Sequence, residues 1–339
     1  MKKYLLWGFA GVFLLFILVG VLSGGNESDP DPGTPVDPSI NTTTVNGDVP
    51  PNDTEEPTNN GTADPDDSSP ENPDNTEMAL NPDEGLIFTA VTAGISHSCG
   101  VRVNDSINCW GSNAFGQAST PSGSFLIVSA GGWHTCALAL DDTIECWGRN
   151  DAKQTEAPKG RFIDVSAGGK HSCGIRARHT VLCWGSNDRG QLDTHASLIA
   201  ISSGGQHSCG LRVSGSITCW GDNTEGQLNA PDGDYKSVAA GDAHSCGLRA
   251  DDNAIVCWGV NSSRQIDSPS GAFSAVAAGR EHSCGLRMDK TVVCWGSGKY
   301  GQIDVPVGGF QEISLGDIHS CGLRIEDTVT CWGTIDESK

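Results

Sequence analysis

The sequence predicts an all-β chain: a seven-bladed β-propeller preceded by a transmembrane helix and a disordered linker. Three observations predict it. A cassette reading close to HSCGLR, followed by CWG, recurs seven times between residues 97 and 333. The repeats carry short alternating apolar runs broken by Gly, Asn and Asp, with no helical period. Ahead of them lie a charge-free apolar run and a long acidic stretch rich in Pro, Asn and Thr.

The first element is residues 1–25. Lys2 and Lys3 precede an uncharged run of 19 residues from Tyr4 to Leu22. That approaches the roughly 20 residues needed to span a bilayer as a helix. It exceeds the apolar core of a cleavable signal, about 7–15 residues. A signal anchor is therefore expected. A cleaved signal, with Val21 and Ser23 as the small residues before the cut, is the alternative. The two lysines put the N-terminus in the cytoplasm and everything downstream outside.

The second element is residues 26–85. It holds 16 Asp/Glu and 11 Pro but no Lys, Arg or Cys. Too little apolar surface is present to offset the entropy of ordering, so an extended, disordered stalk is expected. Asn26, Asn41, Asn52 and Asn60 each open an N-x-S/T sequon, as do Asn104 and Asn261 further on. They are candidate glycosylation sites if the host modifies exported chains. The stalk carries most of the net charge of −21. The remainder, 86–339, has 26 acids and 19 bases and no basic stripe, which argues against a nucleic-acid partner.

The third element is 86–339. The first cysteines of the cassettes are Cys99, Cys136, Cys173, Cys209, Cys246, Cys284 and Cys321, spaced by 36 to 38 residues. In the unit spanning 273–303, FSAVAAG reads as a strand, and HSCGLR and VVCWG as a hairpin across the turn-prone MDKT. Three or four short strands cannot bury both their faces, so neighbouring units must stack. A β-only period near 37 argues for a closed propeller, one blade per unit.

The pattern A-G-x-x-H-S-C-G-L-R…C-W-G-x-N-x-x-G-Q, seen most fully at 202–228, resembles the repeat of the regulator of chromosome condensation family in a cysteine-containing form. The resemblance implies seven blades over 86–339. It also raises guanine-nucleotide exchange on a small GTPase, which the predicted topology opposes, because the propeller would lie across the membrane from any such partner. Some units depart from the pattern. Unit two has Ala137, Ala139 and Lys153 where glycine, arginine and glycine are usual. Unit five has Arg264 at the same turn as Lys153, unit six has Gly298 for asparagine, and unit seven lacks a Gly-Gln segment after Gly333. Whether Leu86–Thr89 completes the last blade is open at this level.

Each unit pairs its two cysteines across the hairpin: Cys99-Cys109, Cys136-Cys146, Cys173-Cys183, Cys209-Cys219, Cys246-Cys257, Cys284-Cys294 and Cys321-Cys331. Opposed positions on antiparallel strands suit a disulfide. Unit five has one extra residue between its cysteines and one extra residue in its loop, so opposition is preserved. An outward-facing compartment permits disulfides. Reduced core cysteines are one alternative. A metal bound by His282, Cys284 and Cys294 is another, but three ligands per unit fall short of the four that structural zinc takes.

The seven histidines, His97, His134, His171, His207, His244, His282 and His319, share a strand face with the first cysteine. A buried imidazole bonded to a backbone carbonyl is expected; a sevenfold ring has no catalytic logic, since catalysis needs different groups converging. Trp295 is expected to cover Gly285 with Arg287 stacked beside it, and likewise in the other units.

Invariant positions are thus scaffold, and function is expected in variable loops. The two residues before each histidine should share one rim. Trp133, Lys170, Gln206, Arg280 and Glu281 offer an aromatic anchor and charges of both signs for an extracellular protein or glycan. Hairpin tips such as Asp141-Asp142 and Asp251-Asp252 are expected to be merely solvated. No catalytic residue, metal or cofactor is implied. The expected function is a monomeric, membrane-anchored extracellular interaction module, with a secreted inhibitor of an extracellular enzyme as the alternative.

Overall fold

The protein is described by a computed structural model over residues 86–194 and 196–334. The expected anchor (1–25), the stalk (26–85) and the sequons Asn26, Asn41, Asn52 and Asn60 lie outside the described residues. Among the described residues, no helix is long and apolar enough to cross a membrane.

Seven antiparallel sheets of three strands each follow one another along the chain. The first is β1 (Phe88–Ala93), β2 (His97–Arg102) and β3 (Ile107–Gly111). The others are β4–β6 (125–148), β7–β9 (162–185), β10–β12 (200–221), β13–β15 (235–259), β16–β18 (273–296) and β19–β21 (310–333). Three strands per blade resolves the choice between three and four. It also settles the role of Leu86–Thr89: Phe88 and Thr89 open β1 of the first blade, and no strand is lent to the last one. Leu86 packs into the cluster between blades seven and one.

Hydrophobic burial is organised by seam. Seven clusters each join the second and third strands of one blade to the first strand and tryptophan of the next. The residue leading each first strand, Phe88, Phe125, Phe162, Tyr235, Phe273 or Phe310, is buried, as is its counterpart Leu198, two residues ahead of β10. In blade six, Phe273 rather than Trp295 covers Gly285: a Cβ on that glycine would lie 2.6 Å from the Phe273 ring. Arg287 stacks on Phe273 at 5.1 Å, as Arg176 does on Phe162 and Arg324 on Phe310. Trp295 instead donates Nε1–H to the carbonyl of Gln265, in the loop leaving blade five, at 2.9 Å. The expected tryptophan–glycine–arginine stack is therefore a phenylalanine–glycine–arginine stack, because the first strand's aromatic reaches the glycine first.

The hairpin tips do more than face solvent. Each holds one residue with positive φ: Asp105, Asp142, His179, Gly215, Asn253, Lys290 or Asp327. This is the left-handed position of a short bulged hairpin loop. The turn aims that residue's carbonyl at the next blade, where it accepts the N–H leading the first strand. Phe162 N–H, for instance, donates to Asp142 O at 2.7 Å, and Phe88 N–H to Asp327 O at 2.8 Å. The seven bonds close a ring on what we call the lower face.

Candidate functional site

The cysteines are opposed in register, Cys284 to Cys294 and, across the longer loop of blade five, Cys246 to Cys257. All seven pairs are disulfide-bonded, and no free cysteine occurs among the described residues. Among the same residues, no group of three or more His, Cys, Asp or Glu is placed to hold a metal ion.

The histidines are fully buried, but their partner is not a backbone carbonyl. Each Nε2 meets a hydroxyl of the next blade: His97 with Thr135, His134 with Ser172, His171 with Ser208, His207 with Ser245, His244 with Ser283, His282 with Ser320 and His319 with Ser98, all at 2.8–2.9 Å. At five seams the hydroxyl sends its only proton to a glutamine backbone carbonyl, as Thr135 does to Gln117 and Ser320 to Gln302. It must then accept from Nε2–H, which fixes the neutral Nε2–H tautomer. Burial holds six of the imidazoles down to about 3 and His319 to about 4. Uncharged rings tied into the scaffold are joints between blades.

The residues before each histidine form the upper face. Gly131, Gly168, Gly204 and their equivalents circle the axis so closely that a Cβ on Gly168 would lie 2.5 Å from Gly204 O. Inside this ring the axis opens into a cavity of about 340 Å³. Ile95, Trp133, Asp242, Arg280 and Asp317 line its mouth. Arg280 Nη1 lies 3.0 Å from Asp317 Oδ2. Burial raises the Asp242 and Asp317 carboxyls, and Arg280 partly offsets this at both.

The structure brings together only two of the five rim residues expected from sequence, Trp133 and Arg280. Lys170, Gln206 and Glu281 sit on the same rim, exposed, with side chains outside the cavity lining. Their backbone carbonyls accept N–H bonds from Ser186, Asp222 and Ser297 in the loops leaving the blades. Those loops therefore share the upper face, and they supply residues the sequence reading missed. Arg149 lies between two aromatic rings, 5.0 Å from Phe115 and 5.3 Å from Trp133. A second cavity of about 260 Å³, lined by Ile95, Phe115, Trp133 and Ile318 among others, adjoins the axial one. The available signal was Phe115, which shares its place in the C-W-G-x-N-x-x-G-Q loop with one other aromatic, Tyr300, and Arg149 in the next such loop.

No similar chain is found among the curated proteins. Among solved structures, the chain is similar to the entire ectodomain of the receptor kinase CR4 from Physcomitrella patens, at 28% identity over 74% of each chain, with a TM-score of 0.64. It is also similar to the CRINKLY WD40 ectodomain of the Arabidopsis thaliana receptor kinase ACR4, at 24% identity over 73% of this chain and 98% of that one, with a TM-score of 0.62. Prp20p from Saccharomyces cerevisiae shares the fold at 16% identity over 73% of this chain and 82% of that one, with a TM-score of 0.58. The regulator of chromosome condensation (RCC1) repeat matches residues 88–117, 127–154, 162–191, 198–227, 235–265 and 273–302, which is more than half of the sequence. The chain belongs to the RCC1 repeat family.

Proposed function

We propose that the propeller is an interaction module working outside the cytoplasm, which binds a protein or glycan through its upper face. Residues 1–25 tether it, and the stalk 26–85 holds it off the membrane. The observation that carries the reading is the Phe115–Arg149–Trp133 stack beside the axial mouth. Aromatic and arginine side chains supply most of the anchoring energy at binding surfaces, and here Phe115 and Trp133 border cavities with Arg149 stacked on both rings. Seven disulfides fit an oxidising compartment. The CR4 structure, of the same fold and 28% identical, is an ectodomain.

Cross-linking on intact cells with the full chain, followed by mass spectrometry, identifies a protein partner; a glycan array probed with the purified protein covers the other class. Replacing both Phe115 and Trp133 with Ala should weaken the captured interaction by roughly tenfold or more. Unchanged capture by that variant would place binding elsewhere.

A further inference from the structure

The lower face holds a cavity of about 240 Å³ between blades seven, one and two. Its walls include Phe88, Val101, Phe125 and Leu323, each at most 3% exposed, with exposed Val103 and Leu126 at the entrance. Glu312 lines it and also borders a separate cavity of about 140 Å³ between the first strands, which Asp164 borders too. This carboxylate is 5% exposed. Only Oε2 is engaged, accepting Val91 N–H at 3.3 Å; Oε1 has no hydrogen bond among the described residues.

Glu312 stands at the third residue of its first strand. Five of the other six blades place the uncharged Ala90, Ile127, Ala200, Ser237 and Ala275 there. Burying a half-satisfied carboxylate is expensive, and Glu312 Oε1, unlike the sealed and unpartnered Oδ2 of Asp164, is left accessible beside a cavity. Asp164, the remaining equivalent in blade three, is also buried and also carboxylic, but it does not line the lower cavity.

We propose that this pocket binds a primary ammonium group carried on an apolar stem, with Glu312 pairing with the ammonium and Phe88, Val101, Phe125 and Leu323 enclosing the stem. The volume falls just below the range of about 300–1,000 Å³ usual for small-molecule sites, which suits a ligand of few heavy atoms. A free alkylamine and a lysine side chain offer the same chemistry. Burial pushes the Glu312 carboxyl up to about 8. Near pH 7 the empty site therefore holds a neutral acid. Binding releases one proton: the carboxyl gives up its hydrogen to solvent, and the carboxylate then faces the intact ammonium. Asp105 and Asp327 are the other titratable groups on the cavity wall.

Calorimetric titration of the full chain with n-pentylammonium tests the proposal, with n-pentanol as the neutral counterpart and N-acetyl-lysine methylamide as the side-chain source. Pentylammonium should bind at least tenfold tighter than pentanol, with a heat that varies with buffer ionisation enthalpy. Glu312→Gln should lose that preference, and Asp164→Asn should keep it. Binding of the lysine amide as well would assign the pocket to a protein side chain, and its failure beside pentylammonium binding would assign it to a free amine. Equal binding of pentanol and pentylammonium, no binding of either cation, or a preference retained in Glu312→Gln would each overturn the proposal. The wild-type comparison stands even if the variant fails to fold.

Discussion

His319 Nε2 and Ser98 Oγ lie 2.8 Å apart although 221 positions separate them in sequence. This bond joins the last blade to the first. Ser98→Ala should leave a buried imidazole nitrogen of His319 without its hydrogen-bond partner and lower stability by about 1–3 kcal/mol, read as a lower denaturation midpoint. Ser98→Thr should be nearly silent, because Thr135 already fills the same place in blade two.

The histidine ring gives the protein a steep acid limb. A group whose folded pKa lies below its unfolded value binds fewer protons when folded, so stability is lost as pH falls from about 6.5 towards about 3. Each histidine contributes up to about 1.4 kcal/mol per pH unit in that window. Asp164 and Glu312 act in the opposite sense. Burial raises both to about 8, so they take up protons on folding, and stability declines as pH rises from about 4 to about 8. Below pH 6.5 seven histidines outweigh two carboxyls; above it the carboxyls act alone. Denaturant melts from pH 4 to 9 should show an optimum near pH 6.5, and Asp164→Asn with Glu312→Gln should flatten the alkaline limb.

Gly168 and Gly116 separate two reasons for glycine. At Gly168 a methyl would press on Gly204 O and His171 Cε1, at 2.5 and 2.6 Å. Gly168→Ala should cost about 3 kcal/mol or more, because neither neighbour can withdraw. Gly116 has φ 81° and nothing within 4 Å of its missing Cβ. Gly116→Ala should cost only the backbone term, about 1 kcal/mol. Thermal melts of the two variants would show the difference.

Lys153 and Arg264 hold the same left-handed turn without glycine, at φ 66° and 63°. Lys153→Gly and Arg264→Gly should each stabilise by about 0.5 kcal/mol, the relief of strain exceeding the entropy lost by a freer unfolded chain. Midpoints that fall in both variants would refute this.

Alkylation followed by mass spectrometry should label 14 thiols only after reduction. Replacing Cys284 and Cys294 together with Ser should lower stability by roughly 2–3 kcal/mol.

The sevenfold cassette carried the blade count, the strand order and the cysteine register, because these depend on spacing and alternation, which a linear reading preserves. It could not say which aromatic covers Gly285, since Phe273 and Trp295 are equally apolar and only the fold decides which arrives first. The histidine partner was hidden for a related reason: Ser98, Thr135 and Ser172 look like part of the same strand, but their hydroxyls serve the neighbouring blade. The rim was half legible. Trp133 and Arg280 stood out by residue type, whereas Phe115 and Arg149 come from the loops leaving blades one and two, which the fold brings beside Trp133.

Every seam bond runs from one blade to its successor, and no strand is divided between the first blade and the last. The order of the units along the chain therefore matters less than their rotational sequence. Joining residue 334 to residue 86 through a linker as long as the connections between the other blades, such as 297–309 between β18 and β19, and opening the chain at any loop between blades would preserve all three strands and the disulfide of every unit. A circular permutant is expected to close the same ring, and the blades behave as interchangeable modules on which one rim can be rewritten without redesigning the rest.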